Sequence, residues 1–201
     1  MRRTKEEAEQ TKKAILRSAI YLFASKGVAK TSIDEIAKAA DVTRGAVYWH
    51  FKNKTEIFDA LFDGLHKSFI ETIWDEFDKN DPNPLEQLKN ICTDVLLKLK
   101  TDEEKVLSLI IFLQKCDYSG ELEVFRQRHI AKKKEKFDAF HKFFLRAKDL
   151  GQLPKDTDCD LLTRGISIYM KGIVLEFLDE RDTSILDKVP QLMNLYFKNF
   201  K

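Results

Sequence analysis

The stretch SIDEIAKAADVTRGAVYWHF, residues 32–51, decides the fold of this chain. Its apolar residues recur at helical spacing on two short segments, one around Ile36 and one around Val47. Asp41 stands between the two segments and suits a tight turn, because Asp tolerates left-handed backbone geometry better than most residues. Thr43 is placed to cap the second segment. The stretch therefore predicts two short helices joined by a turn.

A helix-turn-helix of this kind binds DNA by inserting the N-terminus of its second helix into the major groove. Arg44 is long enough to bind guanine, and Gly45 removes a side chain where the backbone would approach the groove. The predicted DNA-binding residues are Arg3 in a basic arm and Thr31, Ser32, Thr43, Arg44, Gly45, Tyr48, Trp49, His50 and Lys54. The alternative is a helical hairpin that only packs, with the pair Tyr48 and Trp49 in a core or an interface.

The charge distribution favours the DNA-binding interpretation. Residues 1–55 hold 12 Lys and Arg against 6 Asp and Glu, whereas the remainder holds 23 against 27. A basic N-terminal part on an acidic body indicates a polyanionic partner for that part alone. A chance skew in charge is the alternative.

Helix signals continue along the rest of the chain, and no hairpin of alternating strands stands out. The predicted fold is all-α, with an N-terminal three-helix helix-turn-helix domain at residues 1–53 and a C-terminal helical ligand-binding and dimerisation domain at 54–201. Capping boxes are expected at Thr4, Ser32 and Thr101, and helix ends at Gly27 and Gly151. Beyond the head, helices are expected at 54–77, 84–100, 102–115, 120–150, 156–178 and 185–200.

The composition argues against several classes of protein. The three cysteines form no CxxC pair, so neither a zinc site nor a redox motif is predicted. The densest apolar run, 106–113, is too short to span a bilayer, and the polar first residues do not read as a signal peptide. No phosphate-binding Gly loop or nucleophile motif points to an enzyme or a cofactor. We expect a cytoplasmic protein without metal or membrane association.

Residues 31–58 resemble the N-terminal domain of the TetR family of one-component repressors, through the pattern T-x-G-x-x-Y-x-H-F-x-x-K at 43–54. Asp41 departs from the family, where many members carry Gly. Residues 2–8 and 45–54, with scattered similarity at 114–118, 126–128 and 151–154, resemble the AcrR- and TtgR-like branch that controls multidrug efflux operons. The resemblance implies a homodimer on a palindromic operator, released by a small hydrophobic or amphipathic inducer. Regulation of lipid or other metabolic genes is the alternative.

The resemblance also implies an inducer pocket in the C-terminal body, and the fifteen Phe residues could line it. For each aromatic residue the competing interpretation is ordinary core. The predicted ligand-binding residues are His66, Phe69, Trp74, Phe77, Phe112, Cys116, Phe137, Phe140, His141, Phe144, Tyr169 and Lys171.

Lys171 is singled out because its stretch, residues 168–175, is otherwise apolar. A lysine buried there needs a partner, either a salt bridge to another helix or protomer, or an anionic or hydrogen-bonding ligand. The family implies that the helix at 156–178 pairs with the last helix in a four-helix dimer interface. The basic run 126–136 is interpreted as a solvated helix face.

Overall fold

The computed structural model describes residues 4–116, 122–180 and 182–198, and within them the chain forms helices and no strand. The predicted all-α fold is confirmed. The helices are α1 (Lys5–Lys26), α2 (Ile33–Ala39), α3 (Arg44–His50), α4 (Lys54–Asp75), α5 (Pro84–Leu97), α6 (Glu103–Gln114), α7 (Glu123–Asp149), α8 (Cys159–Glu180), α9 (Ser184–Asp187) and α10 (Val189–Phe197).

Local capping explains where the first helices begin and end. Thr4 and Ser32 each form the predicted capping box, with Glu7 and Glu35 as the respective partners. Gly27 ends α1 at a φ of 85°, in the left-handed region that glycine adopts most readily. The capping box expected at Thr101 is wrong: α6 begins at Glu103, one residue later than that box requires.

The last predicted helix, 185–200, is divided in the structure. A four-residue α9 precedes α10, and the two meet at Lys188. Pro190 lies in the first turn of α10, where its missing N–H leaves no helical hydrogen bond unmade.

The described residues pack as two compact units. The first lies within Met1–Leu65 and Glu103–Arg128, and the second within His66–Asp102 and His129–Lys201. The predicted functional boundary at residue 53 stays a prediction, because these packing units divide the chain in a different way.

The first unit combines the N-terminal helices with α6. Its core includes Ile15, Phe23, Ile36 and Val47, none of which is exposed to solvent. Tyr21 on α1 donates a hydrogen bond to Glu103 on α6 over 3.0 Å, and Arg17 pairs with Glu104 over 3.1 Å. Polar contacts between α1 and α6 thus hold the helix-turn-helix against α6.

The second unit has an aromatic core on α7. Phe140, Phe143 and Phe144 are fully buried, together with Met193 from α10. Two tyrosines join α8 and α10 reciprocally: Tyr169 donates to the carbonyl of Leu192, and Tyr196 donates to the carbonyl of Leu162, both over 3.0 Å. The last helix therefore packs against α8 within the second unit.

Candidate functional site

The turn between α2 and α3 has the geometry that the sequence predicts. Asp41 has a φ of 53°, and among the described residues it is the only non-glycine with positive φ. The Thr43 hydroxyl accepts a hydrogen bond from the Ala46 N–H over 3.1 Å and so caps α3. The buried side chains Ile36 and Val47 hold the two helices against α1. The N-terminus of α3 is fixed by these contacts, and Arg44, Tyr48 and Trp49 on its outer face are exposed.

Arg44 lies at the exposed start of α3 and is held by two side chains. Its guanidinium donates to Asp34 on α2 over 3.2 Å and to the Tyr48 hydroxyl over 3.3 Å. These partners raise the pKa of Arg44 above its ordinary value, the Tyr48 hydrogen bond contributing most. Since both contacts are at the surface, they orient the guanidinium at little energetic cost and can be exchanged for a ligand.

The next residues of α3 present a broad exposed surface. A Cβ placed on Gly45 would meet only Thr43 Oγ1 among the described residues, at 3.8 Å, so nothing in that part of the chain requires a glycine there. The Tyr48 and Trp49 side chains are 44% and 73% exposed, and the Trp49 ring contacts His50 edge-on. The alternative of a hairpin that buries this aromatic pair within the described chain does not fit these exposures.

The remaining predicted DNA-binding residues differ in availability. Ser32 is exposed at the N-terminus of α2, and Lys54 donates to the carbonyl of Ala29 over 3.1 Å at the surface. Thr31, in contrast, is buried and donates to the carbonyl of Gly27 over 2.9 Å. Its hydroxyl therefore has a structural partner. Arg3 lies outside the described residues.

The predicted ligand-binding residues are divided between the two packing units. Phe112 and Cys116 belong to the first unit, where the Phe112 ring packs on Phe58 and Phe62 at centroid distances of 5.0 and 5.1 Å. The others belong to the second unit, in which Phe69 contacts Phe140 over 5.8 Å. Phe144 is fully buried in the core.

Other members of that set already have polar or aromatic partners in the second unit. His66 bonds Glu135 over 2.9 Å, and this hydrogen bond is the main cause that lowers the pKa of the Glu135 carboxyl. His141 bonds Asp160 over 3.0 Å and stacks on the Phe137 ring. Tyr169 packs its ring on Tyr196.

Trp74 and Phe77 form an edge-on pair near the end of α4, and Phe77 also contacts Phe143 in the core. Trp74 is 39% exposed, so one side of this pair reaches solvent. Two clefts, of 650 and 180 Å³, lie elsewhere in the second unit, and no predicted ligand-binding residue lines either of them.

The structure corrects the interpretation of two lysines. Lys171, for which burial was considered, is exposed and forms no ion pair with any other part of the chain that the structure describes. Lys136, placed by the sequence on a solvated face, is half-buried against the rings of Phe69 and Phe140. The sequence feature that could have indicated this contact was the spacing of Lys136 from Phe140, because residues four apart share one face of a helix.

Arg128, from the same basic run, is held by carboxylates on α4. It forms ion pairs with Asp59 and Asp63 on α4, within the first unit. Asp59 is buried, so the pair fixes the N-terminal half of α4 against the start of α7. The interpretation of residues 126–136 as a solvated helix face is wrong at Lys136, whereas Arg128 is exposed despite its ion pairs.

Two family models and a known transcriptional regulator match this chain. Residues 15–61 match the family described as bacterial regulatory proteins, tetR family, and residues 83–201 match the C-terminal region of MAATS-type transcriptional repressors. The HTH-type transcriptional regulator AcrR of Shigella flexneri is 37% identical over 174 residues, which is 86% of this chain and 79% of that protein.

Two solved structures are similar over nearly the whole chain. NalD, the secondary repressor of the MexAB-OprM multidrug efflux pump in Pseudomonas aeruginosa, has a TM-score of 0.80 and 30% identity and covers 96% of this chain and 97% of its own. The complex of SmeT with triclosan has a TM-score of 0.81 and 27% identity, covering 94% and 89%. No helix among residues 4–116, 122–180 and 182–198 is long and apolar enough to cross a membrane.

Proposed function

Since this chain belongs to the TetR family of bacterial regulatory proteins, we propose that it is the ligand-responsive repressor of a multidrug efflux operon. It binds a palindromic operator as a homodimer in the cytoplasm. The observation that carries the proposal is the exposed N-terminus of α3, where Arg44 is oriented by Asp34 and Tyr48. NalD and SmeT, each described as the repressor of a multidrug efflux pump, support the assignment to efflux control.

Base reading is assigned to Arg44, whose guanidinium can bind guanine O6 and N7 together. Tyr48, His50, Ser32 and Lys54 are the proposed phosphate contacts, which set the register of the helix without reading sequence. Exposed Trp49 is the proposed apolar contact beside them.

The proposed dimer face lies on α8 and α10. Leu161, Ile168 and Leu195 are 64%, 72% and 63% exposed in the single chain, although their helices are otherwise well packed. Large exposed apolar side chains on adjoining helices are typical of a protein interface. A twofold interface there would give the dimer two copies of α3, one for each half of a palindromic operator.

Release from DNA is proposed to act through α4 and α6. The ligand must bind the DNA-incompetent conformation more tightly, because only a difference in affinity shifts the equilibrium. Arg128 ties α4 to the start of α7, and the contacts of Arg17 and Tyr21 tie α1 to α6. These polar links are the proposed route by which a shift of α4 or α6 turns α3.

The proposal is tested by a mobility-shift titration against the DNA upstream of the chain's own gene and against scrambled DNA. Arg44→Ala is expected to lose about 1–3 kcal/mol of preference for the operator. Arg126→Ala, which removes one exposed charge from α7, is the matched control and should keep that preference. Equal affinity of the wild-type chain for both DNAs would overturn the proposal.

Control of an efflux operon is tested separately by measuring transcripts. Deletion of the gene should raise transcription of the neighbouring pump genes. A rise confined to lipid or other metabolic genes would retain the repressor and replace its proposed operon.

A further inference from the structure

Four aromatic rings of the second unit carry the chain's own cations on their faces. The Lys142 ammonium lies 4.5 Å from the centre of the Trp74 ring, and the Arg164 guanidinium carbon lies 5.3 Å from the centre of the Phe137 ring. The Lys136 ammonium lies 4.5 Å from the Phe69 ring centre and 5.8 Å from that of Phe140. A cationic ligand gains affinity from such ring faces. Here it would meet a like charge at each of them.

Lys136 differs from the other cations in its surroundings. Lys142 and Arg164 are exposed, whereas Lys136 is half-buried against two rings. Burial is the main cause that lowers the pKa of Lys136 below its ordinary value, and the positive charge of Lys171 acts in the same direction. No carboxylate in the described parts of the chain forms an ion pair with Lys136.

An ammonium group withdrawn from water without a carboxylate partner is costly, because ring faces replace only part of its hydration. A negatively charged group brought to this position would recover that cost through a charge-assisted hydrogen bond. The flexible four-carbon stem of lysine allows the ammonium group to swing from the rings toward such a group.

We propose that the second unit binds an amphipathic anion, an organic acid on an apolar body, and that Lys136 receives its negative charge. This inference rests on the proposed function, since it names the chemical class of the inducer. The apolar body packs against Phe69 and Phe140, which Lys136 covers in the unliganded chain. Lys171 adds a second positive charge nearby.

The test uses the full chain and three probes that share a ten-carbon body: decanoate, decyltrimethylammonium and decanol, each below its micelle-forming concentration. Isothermal titration calorimetry measures binding directly, without DNA. Wild-type protein is expected to bind decanoate at least about tenfold more tightly than decyltrimethylammonium. Lys136→Gln should weaken decanoate binding about tenfold or more and leave decanol binding unchanged.

Lys142→Gln is the matched control, because it removes another α7 lysine that lies on a ring at the same distance. Its affinity for decanoate should equal that of wild type. An equal loss in both variants, or no loss in Lys136→Gln, would overturn the assignment to Lys136. The anionic class would be overturned if wild-type protein bound decyltrimethylammonium more tightly than decanoate, or did not bind decanoate. This part of the test uses wild-type protein alone, so it does not depend on the folding of any variant.

Failure of this inference is distinguishable from failure of the repressor function. A chain that shifts operator DNA and is released by decyltrimethylammonium alone keeps the proposed function and loses the inference. A chain that binds decanoate through Lys136 but shows no preference for operator DNA keeps the anion site and loses the repressor function.

Discussion

The recognition segment α2–α3 and the aromatic cluster around α7 use similar side chains in opposite ways. On α3, Tyr48 and Trp49 are exposed, and Arg44 is held by partners four and ten residues away. On α7, Phe140 is fully buried, and the Phe69 ring beneath Lys136 comes from a distant helix. Local contacts leave the first region open to a partner, whereas tertiary contacts cover the rings of the second. Aromatic content alone therefore does not locate a binding surface.

The largest expected effect comes from deleting one aromatic ring in each region. Phe140→Ala should cost about 3–5 kcal/mol of unfolding free energy, because it removes a fully buried ring and leaves a cavity. Trp49→Ala should change stability by less than about 0.5 kcal/mol and weaken operator binding, because its side chain is 73% exposed. The free energy of unfolding of both variants is measured by urea denaturation. Equal losses of unfolding free energy in the two variants would contradict the burial of Phe140 and the exposure of Trp49.

Thiol reactivity tests the burial of the cysteines in the second unit. Burial raises the pKa of Cys92 to about 12 from 9.0, so its thiolate fraction is about a thousandfold lower than that of an ordinary thiol. Buried Cys159 should also react slowly with a thiol reagent, and partly exposed Cys116 should react first. Labelling with a chromogenic disulfide reagent, with Cys116→Ser as control, counts the reactive thiols. Rapid labelling of Cys92 in folded protein would contradict the packing.

Two glycine substitutions separate a contact inside the chain from a contact with a partner. A Cβ on Gly165 would lie 2.7 Å from the Tyr196 hydroxyl oxygen, so Tyr196 must move. Gly165→Ala should cost up to about 2 kcal/mol of stability, because overpacking outweighs the helix preference of alanine. Gly45→Ala should leave stability unchanged or raise it by up to about 1 kcal/mol, since alanine favours helices and space is open. Operator affinity of Gly45→Ala should nevertheless fall about tenfold.

Thermal melting and mobility shift of both variants test this pair. Gly45→Ala protein that binds its operator as tightly as wild type would show that the groove does not approach α3 at that residue.

The smallest expected effect is the acid response of the recognition segment. Hydrogen bonds from Lys26 and Ser32 lower the pKa of Glu35 from 4.5 to about 2. A carboxyl with a depressed pKa stabilises the fold above its unfolded pKa, and that contribution is lost as pH falls from about 4.5 toward 2. Melting temperatures over this range should fall less steeply for Glu35→Gln than for wild type. Parallel curves would show that this carboxyl does not support α2.

The sequence predicted the recognition segment well because its structure depends on short-range chemistry. The caps at Ser32 and Thr43, the left-handed Asp41 and the ends of α2 and α3 all follow from neighbours within a few residues. The positions of Phe112 and Lys136 did not follow, because each depends on which distant helix packs beside it. The residue assignments to DNA and ligand stay predictions until the variants above are measured.

By itself, the sequence determined the helix-turn-helix and the exposed Arg44, because capping and helical periodicity act over three or four residues. Only the tertiary structure decided which cations cover which rings, since α4, α7 and α8 bring together residues far apart in the chain. It also decided that Lys171 is exposed and Lys136 half-buried. Desolvation of a charged group depends on everything packed around it, and sequence spacing does not record that environment.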